Sequence, residues 1–358
     1  MPRTLPILLL ALAALCSACQ TTYIQRSEGV PSGLEPNEVP AAIASAEQAL
    51  LDGEPQRALD WMRVASELEG LPTTQRVRVQ ELLELAADRW LKELSATETP
   101  PELLAEILEL DLPRQLAVTG ALMGADLFLQ QGDYHETFNL IERIDRRYPT
   151  HHLRPEAGRL LVEAGLALSE LESGFWSSNR DHAFRALEYC SIHYPLTPGG
   201  DQVLRRLAEM YEEDGLWYVA IARHEELVAN FPESSLVPYS LARIPHLLLA
   251  SIESPEYDRG ALLDAREGLA KWLRDYAGHE VSEEVRFDLA DAMVRLAESD
   301  LGIARFYVTI GNDYGTRLHA RRARDEARAA GDERRQLEAQ AILDGLPEES
   351  AAPGPAAP

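Results

Sequence analysis

The chain has 358 residues, of which 46% are hydrophobic, so it can bury the core of one large or two ordinary domains. Its 59 acidic residues outnumber its 34 basic residues and give a formal net charge of -25. Nucleic-acid binding needs clustered lysines and arginines, so this balance argues against a nucleic-acid partner. It favours a basic or uncharged partner surface, or acidic side chains that solvate outer helix faces.

Residues 1–18 have the pattern of a bacterial export signal. One arginine precedes an apolar run from Leu5 to Leu15, and small residues follow before Cys19. The run is too short to span a bilayer, which predicts a secretory signal peptide. The Ser17-Ala18-Cys19 end resembles a lipoprotein lipobox, although Cys16 stands where that motif prefers leucine. The resemblance implies acylation of Cys19; a soluble exported protein with an incidental cysteine is the alternative.

The two ends of the mature chain are rich in proline and small residues. In residues 19–40, Pro31, Pro36 and Pro40 accompany Gly29 and Gly33, which predicts a flexible tether. About twenty flexible residues span roughly 25 Å, enough to hold the body off a membrane. Residues 347–358 end in SAAPGPAAP and are predicted to be a disordered tail.

Residues 41–112 predict helices that match no repeat closely. One apolar-periodic helix runs from Ala41 to Leu51, a hinge follows at Gly53, and further helical periodicity continues through Trp90 to Leu110. We interpret this part as an N-terminal helical extension or as divergent repeats.

The clearest unit is a helical hairpin between Leu204 and Pro232. Its helices meet at Gly215, and an aromatic residue, Phe231, precedes the terminal proline. We call an aromatic residue at this position an aromatic stop. The same aromatic–proline pair recurs at Tyr148-Pro149 and Tyr194-Pro195. The apolar positions lie on one face of each helix: Leu204, Leu207, Ala208 and Tyr211, then Trp217, Ala220, Ile221, Leu227 and Val228.

This pattern of apolar positions, a glycine hinge and an aromatic–proline end resembles the tetratricopeptide repeat (TPR), a hairpin of about 34 residues. The match departs at His224 and Leu227, where the repeat prefers a large aromatic and a small residue. The pattern predicts an all-α, tetratricopeptide-like α-solenoid of stacked helical hairpins over residues 113–346.

One stretch resembles a particular family. Residues 301–323, LGIARFYVTIGNDYGTRLHARRA, are similar to the last repeat of the BamD/YfiO-like lipoproteins of the outer-membrane β-barrel assembly machinery. The resemblance implies a protein-binding scaffold whose partners are β-barrel assembly components or unfolded outer-membrane proteins. It also implies an outer-membrane lipid anchor, which Gln20 favours, with the body in the periplasm. A general envelope scaffold associated with the cell wall or division, and an envelope glycan-processing enzyme, are the alternatives.

The sequence contains no motif that predicts catalysis, a cofactor or a metal. Its nine histidines are scattered over separate units, apart from the adjacent His151 and His152, and no HExxH, paired CxxC, phosphate loop or GxSxG occurs. The acidic run from Glu212 to Asp214 predicts solvated carboxylates. Cys190 is predicted to fill the core.

Two aromatic residues are candidates for partner binding. Phe175 and Trp176 lie in a polar segment, GFWSSNRD, that lengthens one hairpin turn. Insertions of this kind fall on one edge of a solenoid and often bind partners. The alternative is that both rings pack on the adjacent helix.

Overall fold

The computed structural model describes residues 23–171, 179–252 and 258–347. These residues form fifteen α-helices and contain no β-strand. Two short 3-10 helices also occur, at Pro36–Glu38 and at Ile107–Glu109. The α-helices are α1 (Val39–Asp52), α2 (Pro55–Ser66), α3 (Thr73–Ser95), α4 (Pro101–Glu106), α5 (Arg114–Gln130), α6 (Tyr134–Arg147), α7 (Arg154–Glu170), α8 (Asn179–His193), α9 (Gly200–Glu213), α10 (Trp217–Asn230), α11 (Val237–Ala250), α12 (Arg259–Asp275), α13 (Ser282–Thr309), α14 (Asp313–Ala330) and α15 (Glu333–Asp344).

The chain divides into two compact units, residues 1–171 and 172–358. In unit 1, α1 contacts α3, α3 contacts α5 and α5 contacts α7, while α2 and α6 pack between these helices. In unit 2, α11 contacts α13 and α13 contacts α15, while α10, α12 and α14 pack between successive odd-numbered helices. Within each unit, odd-numbered helices therefore form one layer and the even-numbered helices between them form the other. This confirms an all-α fold of stacked helical hairpins, the α-solenoid class.

The helices expected as an N-terminal extension belong to the same stack as the rest of unit 1. Their buried side chains form one core that continues from Val39 in α1 to Ala117 in α5. Ala42 and Ala46 lie at the buried face of α1, where small side chains let helices approach closely. The boundary between the units falls after Leu171, within the range expected as one repeat domain.

The expected flexible tether does not extend over residues 23–38. Val30 is buried, and Ile24 and Leu34 pack against the core of unit 1. The proline-rich composition suggested disorder, but apolar side chains spaced along the segment find a surface on the helices. The first four residues of the expected tether, 19–22, lie outside the described residues.

The aromatic stops form one recurring turn. Tyr148, Tyr194, Phe231 and Tyr276 each donate their backbone N–H to the carbonyl four residues earlier, and each carbonyl accepts from the residue three positions later. This geometry ends an even-numbered helix and starts the next hairpin. Tyr276 adopts it without a following proline, so the aromatic residue is the constant feature of the turn.

The hairpin expected between Leu204 and Pro232 consists of α9 and α10. All four positions of the predicted face in the first helix are buried, as are Ala220 and Leu227 in the second. Gly215 has a φ of 71°, a left-handed conformation that glycine adopts freely. Gly200 packs against the ring of Phe231 so closely that a Cβ there would lie 2.7 Å from it.

Candidate protein-binding face

Ion pairs connect neighbouring odd-numbered helices on the exposed side of their layer. In unit 2, Arg243 of α11 pairs with Glu212 of α9 and, at 2.9 Å, with Glu284 of α13. We call these three residues the Glu–Arg–Glu ladder. The Arg243 side chain is only 13% exposed, so its charge is held between the two carboxylates. The ladder fixes the spacing of three successive hairpins.

Unit 1 has comparable bridges. Arg78 of α3 lies 2.6 Å from Glu47 of α1, and Arg159 of α7 lies 3.3 Å from Asp126 of α5. Arg159 also binds Glu156, whose pKa falls below its ordinary value because of this hydrogen bond. Acidic residues thus pair with arginines of neighbouring odd-numbered helices. These pairs neutralise part of the negative charge on those helices.

An exposed aromatic ring lies beside the ladder in unit 2. Phe287 of α13 is 74% exposed and neighbours Asp288 in the chain. Because α13 packs on α11, α12, α14 and α15, the ring projects from the remaining open side of the helix. We call the ladder together with Phe287 the odd-helix face of unit 2. Exposed aromatic rings within a polar rim are typical anchors of protein interfaces.

His224 lies beneath this face and is fully buried. Its Nδ1 lies 3.2 Å from the hydroxyl of Ser240, and its ring meets the edge of Tyr239. Burial, followed by the charges of Arg243 and Arg205, lowers the pKa of His224 to about 4. The repeat pattern prefers an aromatic residue at this position, and a neutral imidazole fills the same space.

Several histidines that stand alone in sequence are paired with aspartates in the structure. His246 Nδ1 lies 2.8 Å from Asp288, and His319 Nδ1 lies 2.6 Å from Asp300, which is 1% exposed. Ligand atoms of His246, Glu284 and Asp288 lie within 4.8 Å of one another. Glu284 is however bonded to Arg243, whose charge already occupies this position. We interpret the group as polar contacts between α11 and α13 beside the ladder, and the absence of a metal site stays a prediction.

The acidic run at the end of α9 is not simply solvated. Glu212 belongs to the ladder, while Glu213 and Asp214 pair with Arg180 at 3.4 and 2.9 Å. Arg206 lies 3.4 Å from Glu213 as well. These carboxylates connect α8, α9 and α11 through ion pairs, which accounts for their clustering.

Exposed apolar side chains also surround the α13–α14 turn, within the stretch that resembles the BamD/YfiO-like repeat. Phe306, Val308, Ile310 and Tyr314 are 59%, 53%, 56% and 79% exposed. Tyr307 turns inward and stacks on His319. The aromatic pair noted in the sequence therefore has one exposed and one packed member.

The candidate residues from the sequence have different outcomes. Cys19, Phe175 and Trp176 lie outside the described residues. Cys190 is 1% exposed, and burial raises the pKa of its thiol to about 12, as expected of a core residue. Among the described helices, none has both the length and the apolarity to cross a membrane.

No family model and no curated protein sequence matches the chain. Among solved structures, it is similar to the C-terminal part of a TPR repeat-containing protein from Cytophaga hutchinsonii, with 10% identity over 83% of this chain and 98% of that chain and a TM-score of 0.31. It is similar to yeast Tom70, with 10% identity over 86% and 59% of the two chains and a TM-score of 0.27. For the TPR2AB domain of yeast Sti1 in its complex with pHSP90, the identity is 11%, the coverage 86% of this chain and 100% of that chain, and the TM-score 0.22. At these TM-scores the assignment to the stacked-hairpin class rests on the helix packing itself.

Proposed function

We propose that the chain is a membrane-anchored scaffold that binds other proteins through the odd-helix face of unit 2. The observation that supports this is Phe287, an aromatic ring 74% exposed beside one arginine and two carboxylates that are already paired with each other. Stacked-hairpin proteins present extended surfaces of this kind to peptides and partner helices. The chain acts by binding and needs no cofactor.

The charges and the exposed ring of the odd-helix face indicate what kind of surface a partner must offer. Paired charges of the ladder keep their own partners when a ligand arrives, so the cost of burying them is lower than for isolated charges. Phe287 offers apolar area for a pocket or an apolar helix face. The acidic excess of the chain favours partners with basic or uncharged surfaces.

The cellular role is proposed from the sequence. The lipobox-like end at Cys19 and the resemblance of residues 301–323 to the BamD/YfiO-like family support a scaffold in outer-membrane β-barrel assembly. Acylation of Cys19 would anchor the chain to the outer membrane, with the body in the periplasm. Its partners would be β-barrel assembly components or unfolded outer-membrane proteins.

Site-specific photocrosslinking tests this proposal. Phe287 is replaced by p-benzoylphenylalanine, which keeps an aromatic ring, and crosslinked proteins are recovered from native membranes. Arg322, exposed on α14 in the even-numbered layer, is the matched control position. We expect β-barrel assembly proteins to be captured at Phe287 and not at Arg322.

Other results would contradict parts of the proposal. Capture only from Arg322 would show that the odd-helix face is not the binding surface. Cell-wall or division proteins at Phe287 would indicate a general envelope scaffold, and turnover of a glycan by the purified chain would favour an enzyme.

A further inference from the structure

The first described residues are bonded to the even-helix side of unit 1. Glu106, at the end of α4, accepts hydrogen bonds from the backbone N–H groups of Tyr23 and Ile24, both at 2.9 Å. Each carboxylate oxygen binds one N–H, and hydrogen bonds to an ionised acceptor are stronger than neutral ones. Tyr23 is therefore held at a defined point on the helices.

A second attachment lies on α2. Asp60, which is 4% exposed, accepts both the backbone N–H and the hydroxyl of Ser27 at 2.8 Å. Gln56 donates its side-chain amide to the carbonyl of Gln25 at 2.8 Å. Residues 23–27 are thus bonded to two even-numbered helices of unit 1, α2 and α4. We call residues 23–27 the strap.

The distance from the strap to Cys19 is limited by the covalent chain. Three residues separate Cys19 from Tyr23, so the two Cα atoms lie at most about 14 Å apart. The headgroup layer of a bilayer leaflet occupies about 5–8 Å of that reach. A chain acylated at Cys19 therefore has little free length with which to leave the membrane.

From this geometry we infer that the even-helix side of unit 1, at the strap and α4, lies against the lipid headgroups. The inference rests on the acylation of Cys19 proposed above. Tyr23, 43% exposed, presents to the lipid a ring of the kind enriched at membrane interfaces. The exposed side chains of the odd-numbered helices of unit 1 consequently lie farther from the bilayer than the strap.

Headgroup quenching tests this orientation. The acylated chain is purified and reconstituted in vesicles of phosphatidylethanolamine and phosphatidylglycerol that include a lipid with a nitroxide on its headgroup. A bimane fluorophore is attached at Gln25→Cys in the strap or at Glu81→Cys in α3, whose side chain is 60% exposed in the odd-numbered layer. Only protein that floats with the vesicles is measured.

We expect several-fold stronger quenching at Gln25→Cys than at Glu81→Cys. Equal quenching, or stronger quenching at Glu81→Cys, would overturn the orientation while flotation still supports the anchor. Failure of the chain purified from cells to float with the vesicles would overturn the acylation of Cys19, so the two proposals fail separately.

A longer connection between Cys19 and the strap tests whether its short length holds this side of unit 1 at the membrane. Twenty glycine and serine residues inserted between Gln20 and Thr21 span roughly 25 Å. We expect flotation to persist and quenching at Gln25→Cys to fall to the level of Glu81→Cys. Undiminished quenching would overturn the argument that the short connection holds this side at the membrane.

Discussion

At the scale of single residues, His224 shows how burial determines protonation. The side chain is 0% exposed, and its Nε2 has no hydrogen-bond partner among the described residues. A protonated imidazole would need solvation that this site does not provide, and Arg243 and Arg205 add repulsion, so the pKa falls to about 4. The folded state therefore holds the neutral ring.

This protonation gives a pH dependence with a definite sign. Between pH 6.5 and pH 4 the unfolded chain takes up a proton at His224 that the folded chain does not, so stability falls as the pH falls. Over this window the loss from His224 approaches about 3 kcal/mol. We expect His224→Phe to remove that part of the pH dependence, measured by urea denaturation at both ends of the window. An unchanged difference between the two pH values would show that other groups cause it.

At the scale of elements, close approach between helices depends on glycines whose neighbours leave no room. A Cβ at Gly315, in the first turn of α14, would lie 2.7 Å from ring atoms of Tyr307 in α13. Gly302, also in α13, has nothing within 4 Å of the corresponding position. The two residues look alike in the sequence, and only the packing of α14 against α13 distinguishes them.

We expect opposite effects from alanine at these two glycines. Gly315→Ala forces the Tyr307 ring to move and should cost about 1–3 kcal/mol of stability. Gly302 lies in a helix interior, where alanine loses less backbone conformational entropy on folding than glycine does. Gly302→Ala should therefore stabilise the protein by about 0.5–1 kcal/mol. Chemical denaturation of both variants measures the difference. Equal stability of the two variants would mean that Tyr307 does not lie over Gly315.

At the scale of the whole molecule, function depends on where the chain is held as much as on what it binds. The proposed anchor is Cys19, and the strap begins four residues after it, at Tyr23. Unit 1 carries this attachment, whereas the exposed ring of Phe287 lies in unit 2. Anchoring and partner binding are thus assigned to different units, and substitutions are expected to separate them.

Cys19→Ala is expected to move the protein from the membrane fraction to the soluble envelope fraction. Without the thiol no acyl chain can be attached, and two or three acyl chains are what make such anchoring stable. Cys190→Ala, at the buried second cysteine of the mature chain, is the matched control and should stay with the membrane. Immunoblots of the separated fractions measure both. Membrane retention of Cys19→Ala would contradict the lipoprotein assignment.

The sequence by itself determined the class of fold, because helical hairpins are encoded locally. Apolar positions such as Leu204 and Tyr211 recur at the helical period, Gly215 supplies a left-handed turn, and Phe231 ends the hairpin. Each signal lies within a few residues of the structure it specifies. The same local signals located the hinge at Gly53 between the first two helices, but residues 41–112 lack the aromatic stop and could not be assigned to repeats.

Only the tertiary structure decided which side chains meet between repeats. Arg243 joins Glu212 and Glu284, and Asp288 joins His246, across sequence separations that no local pattern encodes. The strap was missed for a related reason: its backbone is bonded by Glu106, a residue more than eighty positions away. Composition describes what a segment would do alone in water, whereas the carboxylates and apolar surface that order this one come from distant helices.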